Sequence, residues 1–300
     1  MMKLLLILIC ALVYKSSFAQ EENPGFQVIK NETRSVKAKS VSELAKKLTS
    51  NYKEEMEKVI AIFSWITENI RYDIKGAVNP ANIYHDIKAG SLDSNYNDQI
   101  AQKVIKERKG VCDGYARLFK TLCDQSNIKS IIIEGYIRGY SDPVGIITYK
   151  RHAWNAVSID GKWHLLDATW ASGSRNVDAF VKQFNSFYFL TDPIKFFNDH
   201  FPDDSSWALF PNPPTLRQFY DAPYISQEFY TSNIISYQPT AGIIEPTIAN
   251  DKIKIELETD DIHKRLYIVE YPRDTIQYDP NNESGFLHEL NRPHITKPEI

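Results

Sequence analysis

The chain has 300 residues, of which 43% are hydrophobic and 24% are charged, and its formal net charge is −3. This composition supports a packed core and is too balanced for a disordered chain. The negative charge and the absence of a basic run argue against a nucleic-acid partner. At roughly 100 to 200 residues per domain, the length fits one medium domain and a smaller module.

The first 19 residues have the pattern of a signal peptide. An apolar run follows Lys3, and small residues stand at Ser17 and Ala19. The run is shorter than the about 20 residues that are needed to span a bilayer. We therefore predict a secreted or periplasmic protein whose mature chain begins near Gln20, with no stable membrane insertion after signal cleavage.

Hydrophobic periodicity predicts helices in the first half of the chain and strands after them. The predicted helices cover about 40–49, 53–69, 97–106 and a segment that begins close to Cys112. A polar stretch at 79–99 is typical of a long surface loop. The predicted strands cover 131–137, 152–159, 162–170, 187–190, 253–257 and 265–271.

This order of elements is typical of an α+β fold in which N-terminal helices pack on an antiparallel sheet. Prolines punctuate an irregular stretch that ends near Pro223. The sequence therefore predicts a core domain at 20–224 and a small β-rich module at 225–300.

Two cysteines, Cys112 and Cys123, remain after removal of the leader. A disulfide is the ordinary expectation in an oxidising compartment. If the segment between them is helical, however, a rise of about 1.5 Å per residue separates their Cα atoms by roughly 16 Å. A disulfide tolerates at most about 7 Å. Both thiols would then be free, which favours a chemical role for one of them.

Cys112 stands at the predicted start of a helix, soon after a glycine. The helix dipole and the unpaired N–H groups at such a position lower the pKa of a thiol, although Asp113 partly opposes this effect. The alternative is a buried and inert cysteine. Cys123 fits that alternative better, because Phe119 and Leu122 lie beside it in a mid-helix position.

The dipeptide Asp160-Gly161 between two alternating segments predicts a β-hairpin with a two-residue turn. Such a turn places His152 and Asp167 on one face as diagonal neighbours, about 7 to 8 Å apart. A carboxylate there can orient the imidazole and stabilise its protonated form. We therefore predict Cys112 as a nucleophile, His152 as its base and Asp167 as the group that orients the base.

The same hairpin register excludes two rivals for the third role. With Ile159 paired to Lys162, both His164 and Asn155 point away from His152. A three-residue turn or a bulge would reverse these assignments, because a slip of one residue moves every side chain to the other face.

Three ordered segments of the chain resemble the transglutaminase-like superfamily. They are Gly110-Val111-Cys112-Asp113-Gly114-Tyr115-Ala116, Arg151-His152-Ala153-Trp154-Asn155, and Gly161-Lys162-Trp163 through Leu166-Asp167-Ala168-Thr169-Trp170. Other segments are similar to its kyphoscoliosis-peptidase branch, namely Ile62-Phe63-Ser64-Trp65-Ile66, Asn69-Ile70-Arg71-Tyr72-Asp73, Tyr188-Phe189-Leu190-Thr191-Asp192-Pro193 and His200-Phe201-Pro202. The resemblance extends over about 53–223.

This resemblance implies a papain-like core with a Cys-His-Asp triad and no metal or organic cofactor. The Cys112 thiolate would attack an amide carbonyl of a protein or peptide and form a thioester, which water or an amine resolves. Hydrolysis is favoured over cross-linking. Asp113 departs from the Gln that is often found after the nucleophile in this branch, which leaves the substrate preference open. Trp65 and Tyr72 are candidates for the second oxyanion donor.

Two other classes of function remain as alternatives. A metal site could draw on Cys112, His152, His164 and Asp167, but the hairpin register places the two histidines on opposite faces. A catalytically silent binding or scaffolding protein of the cell envelope could use the same fold, because a fold does not fix a function. The sequence does not predict an oligomeric state.

Overall fold

The computed structural model describes residues 24–78, 94–176, 179–231, 234–238, 240–242, 256–259, 268–270 and 294–296. The predicted signal peptide, the greater part of the predicted loop at 79–99, and parts of the predicted strands at 253–257 and 265–271 lie outside the described residues. The chain divides into two compact units, Met1–Tyr140 with Tyr149–Phe219 and Ser141–Thr148 with Tyr220–Ile300.

Most of the described helices precede residue 126. In chain order they are α1 (Pro24–Thr33), α2 (Val41–Thr49), α3 (Glu55–Asn69), α4 (Ile74–Val78), α5 (Ser94–Glu107), α6 (Cys112–Gln125), α7 (Ala168–Ala171), α8 (Pro193–Phe196), α9 (Leu216–Asp221) and α10 (Gln227–Thr231). Short 3₁₀ helices lie at Ser186–Tyr188 and Ser205–Ala208. No described helix has the length and apolar character needed to cross a membrane.

Strands β3 and β4, with 8 and 9 residues, are longer than the other described strands. They are β1 (Arg71–Tyr72), β2 (Lys109–Gly110), β3 (Ser130–Ile137), β4 (Arg151–Ile159), β5 (Lys162–Leu166), β6 (Gly173–Asn176), β7 (Ala179–Lys182), β8 (His200–Pro202), β9 (Ile234–Gln238), β10 (Glu256–Thr259), β11 (Ile268–Glu270) and β12 (His294–Thr296).

Strands β3, β4, β5 and β8 form the main sheet, in the order β5-β4-β3-β8 with antiparallel neighbours. Helix α3 is buried on nearly all sides, as expected of a helix that is apolar around its circumference. Helix α6 contacts both α3 and β4. Helices therefore pack on an antiparallel sheet, and the predicted α+β fold is confirmed.

Two predictions about the helices are confirmed, one by a capping hydrogen bond and one by burial. The hydroxyl of Ser40 accepts a hydrogen bond from the Glu43 N–H at 3.2 Å and so caps α2. On α6, the side chains of Tyr115, Leu118, Phe119 and Leu122 are buried, as predicted.

Helix α5 begins at Ser94, earlier than predicted, so the last part of the predicted loop is helical. The first turns of α5 are polar and lack the apolar periodicity by which a helix is predicted from sequence. Contacts between this part of α5 and α6 stabilise it. Asn97 accepts a hydrogen bond from Arg117 at 2.5 Å, and the Arg117 guanidinium lies over the Tyr96 ring at 5.1 Å.

The predicted strand at 187–190 is wrong, because residues 186–188 form a 3₁₀ helix. The side chain of Asn185 caps this helix by accepting a hydrogen bond from the Phe187 N–H at 3.0 Å. Thr191, just after this segment, forms an isolated antiparallel bridge with Leu165.

The second unit contains two strand pairs within its described residues. Strand β9 pairs antiparallel with β10, and β11 pairs antiparallel with β12. The ring of Phe229 on α10 packs edge-on against Tyr237 of β9, with 5.5 Å between the ring centroids.

Candidate functional site

Cys112 is the first residue of α6, and backbone pairing fixes its position. Strand β2 ends at Gly110 and pairs in parallel with β1, which holds the chain two residues before the cysteine. Val111 occupies the extended N-cap position. The Cys112 N–H is therefore one of the helix N–H groups without an intrahelical partner, and the side chain is partly exposed.

The Cys112 thiol interacts with two groups of strand β4. Burial alone would raise its pKa, but the charge of His152, a hydrogen bond with that side chain and a backbone hydrogen bond with Ala153 outweigh burial. The pKa of the Cys112 thiol therefore lies below its ordinary value. A partly exposed cysteine with a lowered pKa has the properties of a reactive thiol.

Cys123 differs from Cys112 in each of these respects. It lies in the middle of α6 with no exposed surface, and burial raises the pKa of its thiol well above the ordinary value. Both cysteines are free and both lie on α6, so the helix on which the argument against a disulfide between them depends is present.

The hairpin that carries His152 has the predicted register. Ile159 pairs with Lys162 across the two-residue turn, and Asn155 pairs with Leu166. The strand predicted to reach residue 170 ends at Leu166, however, and α7 follows it. That part of the prediction is wrong.

Asp167 is the reason why the strand ends. Its Oδ1 accepts hydrogen bonds from the N–H groups of Thr169 at 2.7 Å and Trp170 at 3.2 Å, which caps α7. Its Oδ2 lies 2.7 Å from Nε2 of His152. The predicted contact between His152 and Asp167 is thus present, although Asp167 makes it as a helix cap and not as a strand residue.

The two predicted rivals lie elsewhere. His164 pairs with Val157 and is half-buried, and burial together with Lys162 lowers its pKa. Asn155 is buried and donates hydrogen bonds to the carbonyl groups of Ala116 and Ile131, both at 3.0 Å. Asn155 therefore links the hairpin to α6 and β3 through its side-chain amide.

Electrostatics couple the three predicted residues. Burial would lower the pKa of His152, but the charges of Asp167 and Cys112 and the hydrogen bonds to both raise it above its ordinary value. Burial would raise the pKa of Asp167, and the two neighbouring histidines lower it instead. Because Nε2 of His152 faces Asp167, Nδ1 is the nitrogen that can meet the thiol. Such an arrangement can hold a thiolate beside an imidazolium.

A second histidine, His200, was not predicted as a site residue. Its Nε2 lies 3.2 Å from the same Asp167 Oδ2 that His152 contacts. Its Nδ1 lies 2.5 Å from Oδ1 of Asp199, and Oδ2 of Asp199 accepts a hydrogen bond from the Tyr188 hydroxyl at 2.8 Å. The side chains of His200 and Asp199 are almost completely buried.

Aromatic rings enclose this buried network. The His200 ring stacks on Phe196 at 4.2 Å between centroids and meets Trp170 at 4.7 Å and Trp154 at 5.0 Å. The His152 ring lies 5.5 Å from the His200 ring and 5.6 Å from Trp170. These rings exclude water and strengthen the electrostatic interactions inside.

His152, Asp167 and His200 could also offer ligand atoms to a metal ion, since one such atom from each lies within 4.8 Å of the others. Both rings point a nitrogen at one carboxylate oxygen at hydrogen-bond distance. Hydrogen bonding therefore accounts for the grouping. The metal alternative drawn from the sequence combined Cys112 and His164 with His152 and Asp167, whereas this cluster combines His200 with His152 and Asp167.

Of the two residues predicted as candidates for the second oxyanion donor, the structure excludes Trp65 and leaves Tyr72. Trp65 is completely buried and its indole N–H donates to the Val36 carbonyl at 2.9 Å, so the prediction for Trp65 is wrong. Tyr72 is half-buried beside Phe180, with 6.3 Å between the ring centroids, and remains a prediction.

Similarity to known proteins agrees with this architecture. Residues 42–168 match the transglutaminase-like superfamily. Kyphoscoliosis peptidase from Mus musculus is 34% identical over 223 residues, which cover 72% of this chain and 31% of that protein. The Homo sapiens protein is 35% identical over 231 residues, which cover 74% of this chain and 32% of that protein. The chain thus spans about a third of the length of these relatives.

A solved structure of a proposed cysteine protease from Cytophaga hutchinsonii is 23% identical and has a TM-score of 0.30. The match covers 54% of this chain and 47% of that one. The chain contains a transglutaminase-like superfamily domain at residues 42–168 and, over about three quarters of its length, is similar to the kyphoscoliosis peptidases.

Proposed function

We propose that this chain is an exported cysteine-dependent enzyme that attacks amide bonds of proteins or peptides. Cys112 is the nucleophile, His152 its base and Asp167 the group that orients the base. One observation carries the proposal. A partly exposed thiol with a lowered pKa contacts a buried histidine, which is itself 2.7 Å from a buried carboxylate.

The reaction needs only these groups and the substrate. The Cys112 sulfur forms a bond to the amide carbonyl carbon, and the carbonyl electrons move to oxygen. When the C–N bond breaks, His152 gives its proton to the leaving amine and a thioester remains. His152 then takes a proton from water, which attacks the thioester and releases the acid and the thiolate. The Cys112 N–H at the start of α6 is placed to bind the oxyanion.

Hydrolysis is favoured over amine transfer for a physical reason. An exposed thioester meets a large excess of water, so cross-linking requires a site that holds an amine and excludes water. The name of the two peptidase relatives supports the same preference. Protein or peptide is therefore the proposed substrate class, with water as the acceptor.

Export is the proposed location, and it depends on the pattern of residues 1–19. Expression of the full chain in a bacterial host, followed by N-terminal sequencing of the periplasmic or secreted protein, tests it. A mature N-terminus near Gln20 is expected. Retention of Met1 in the cytoplasmic fraction would contradict the proposed location.

The function itself is tested with a peptide library, in the presence and absence of a primary-amine probe. Cys112→Ala is the inactive control, and Cys123→Ala is the matched control because Cys123 is buried in the same helix. Cleavage that needs Cys112 and not Cys123 is expected. Incorporation of the amine without cleavage would contradict the hydrolase. No change dependent on Cys112 in either arm would favour a silent binding or scaffolding protein.

A further inference from the structure

We propose that His200, held as an imidazolium between Asp199 and Asp167, is a positioning residue for the catalytic group. It fixes the Asp167 carboxylate against His152 and adds a positive charge that keeps the Cys112 thiol ionised. This inference rests on the proposed function, because it assigns His200 a role in the same reaction.

The hydrogen-bond geometry places a carboxylate oxygen opposite each nitrogen of the His200 ring. Nδ1 faces Asp199 at 2.5 Å and Nε2 faces Asp167 at 3.2 Å, and both partners are carboxylate oxygens. A neutral imidazole carries one N–H, whereas an imidazolium carries two. With both carboxylates ionised, a neutral ring would point one nitrogen lone pair at an anionic oxygen. The imidazolium satisfies both contacts.

The surroundings of His200 favour a cation. Its ring stacks on Phe196 at 4.2 Å and meets the faces or edges of Trp170 and Trp154 within 5.0 Å. Aromatic faces attract a desolvated cation. A buried ion pair is weak evidence for stability, because desolvation offsets most of the attraction. Two buried carboxylates and two buried histidines in one network therefore point to a function for the charges.

Asp167 shows what His200 contributes. Its Oδ1 accepts two N–H groups from α7, and its Oδ2 accepts from both histidines. A carboxylate offers about four acceptor positions. With all four occupied, Asp167 cannot rotate away when His152 exchanges its proton during the reaction. His200 supplies the contact that completes this set.

The charge of His200 acts on the same groups. The other titratable groups of this network are Cys112, His152, Asp167, Asp199 and Tyr188. A cation also lies nearby, because the Arg138 guanidinium donates a hydrogen bond to the Asn198 carbonyl at 2.8 Å. Asp167 opposes ionisation of the Cys112 thiol. A positive charge on His200 offsets that effect. Removal of this charge should therefore raise the pH at which the thiol ionises.

The protonation state can be measured on the wild-type chain without a substrate. In full-length protein with ¹⁵N-labelled histidine, both ring nitrogens of His200 should carry a proton at pH 7, as the two carboxylate contacts imply. In Asp199→Asn, the same ring should show one protonated nitrogen at neutral pH. A His200 that is neutral at pH 7 in the wild type would overturn the proposal.

The effect on the thiol is measured as the pH profile of Cys112 alkylation by iodoacetamide. His200→Gln keeps a donor toward Asp167 and removes the charge, so the alkylation midpoint should move upward by about one pH unit. His164→Gln is the matched control and should leave the profile unchanged, because His164 lies outside the network. A folded His200→Gln protein with the wild-type profile would overturn the inference while the proposed function stands. A wild type in which Cys112 and Cys123 react equally would instead contradict the proposed function.

Discussion

Replacing Asp167 by Asn removes the charge beside His152 and keeps the size of the side chain. The amide oxygen of the variant can still accept the α7 N–H groups that Oδ1 accepts in the wild type. The amide NH₂ then faces Nε2 of His152. That nitrogen must accept a hydrogen bond, which leaves the proton on Nδ1, the nitrogen that can meet the thiol. His152 is then in the wrong tautomer to act as the base.

The size of the effect follows from the thiolate fraction. An ordinary cysteine has a pKa of about 8.5 and is only a few per cent thiolate at neutral pH. In the wild type, His152 lowers the pKa of Cys112 and Asp167 stabilises the protonated His152. If Cys112 is mostly ionised there, loss of the ion pair reduces the thiolate fraction, and with it the alkylation rate, by about thirtyfold.

The assay is the rate of Cys112 alkylation by iodoacetamide near neutral pH, read by mass spectrometry, with circular dichroism as the check on folding. Asn155→Ala is the matched control. It removes a buried polar side chain from the same hairpin, so it should lower stability by about 1 to 3 kcal/mol and leave the alkylation rate of the folded protein near wild type. An unchanged rate in folded Asp167→Asn, or equal losses in both variants, would refute the assigned roles.

Two further predictions concern stability. The pKa of Asp167 is lowered in the folded protein, so its charge stabilises the fold above the unfolded-state value of about 3.9, and this contribution is lost as the pH falls below it. The melting temperatures of the wild type and Asp167→Asn should therefore converge on acidification, and a difference that grows instead would contradict the sign. An added Cβ at Gly135 would overlap the Phe201 carbonyl and lie 2.6 Å from the Trp154 ring. Gly135→Ala should lower the free energy of unfolding in urea by about 1 to 3 kcal/mol, whereas Gly139→Ala, with no atom within 4 Å of its Cβ, should not.

Local patterns in the sequence were enough to predict the hairpin and the residues it brings together. A two-residue Asp160-Gly161 turn fixes every pair along β4 and β5, so the direction of His152 follows from counting. The position of Cys112 followed from the start of one helix. The contact between His152 and Asp167 was predicted on the assumption that Asp167 lies in the strand. The strand ends at Leu166, but Asp167 caps the next helix with Oδ1 and still directs Oδ2 toward His152.

His200 could not be found in this way. It follows Asp167 by 33 residues and lies at the start of a three-residue strand, which pairs with β3 at Ile137. A strand that short carries no periodicity. The one available signal was the segment His200-Phe201-Pro202, which contributed to the family resemblance without indicating a role. The polar start of α5 was missed for a related reason, since Asn97 is held by a tertiary contact with Arg117.

The central claim is that Cys112 is an activated nucleophile, and it is tested most directly by competition between Cys112 and Cys123, which lie on the same helix. Full-length protein is treated briefly with iodoacetamide near neutral pH, and peptide mapping by mass spectrometry measures the label at Cys112 and Cys123. Because His152 lowers the pKa of the first thiol and burial raises that of the second, nearly all label should be at Cys112. Equal labelling of the folded protein, or labelling at Cys123 first, would contradict the claim.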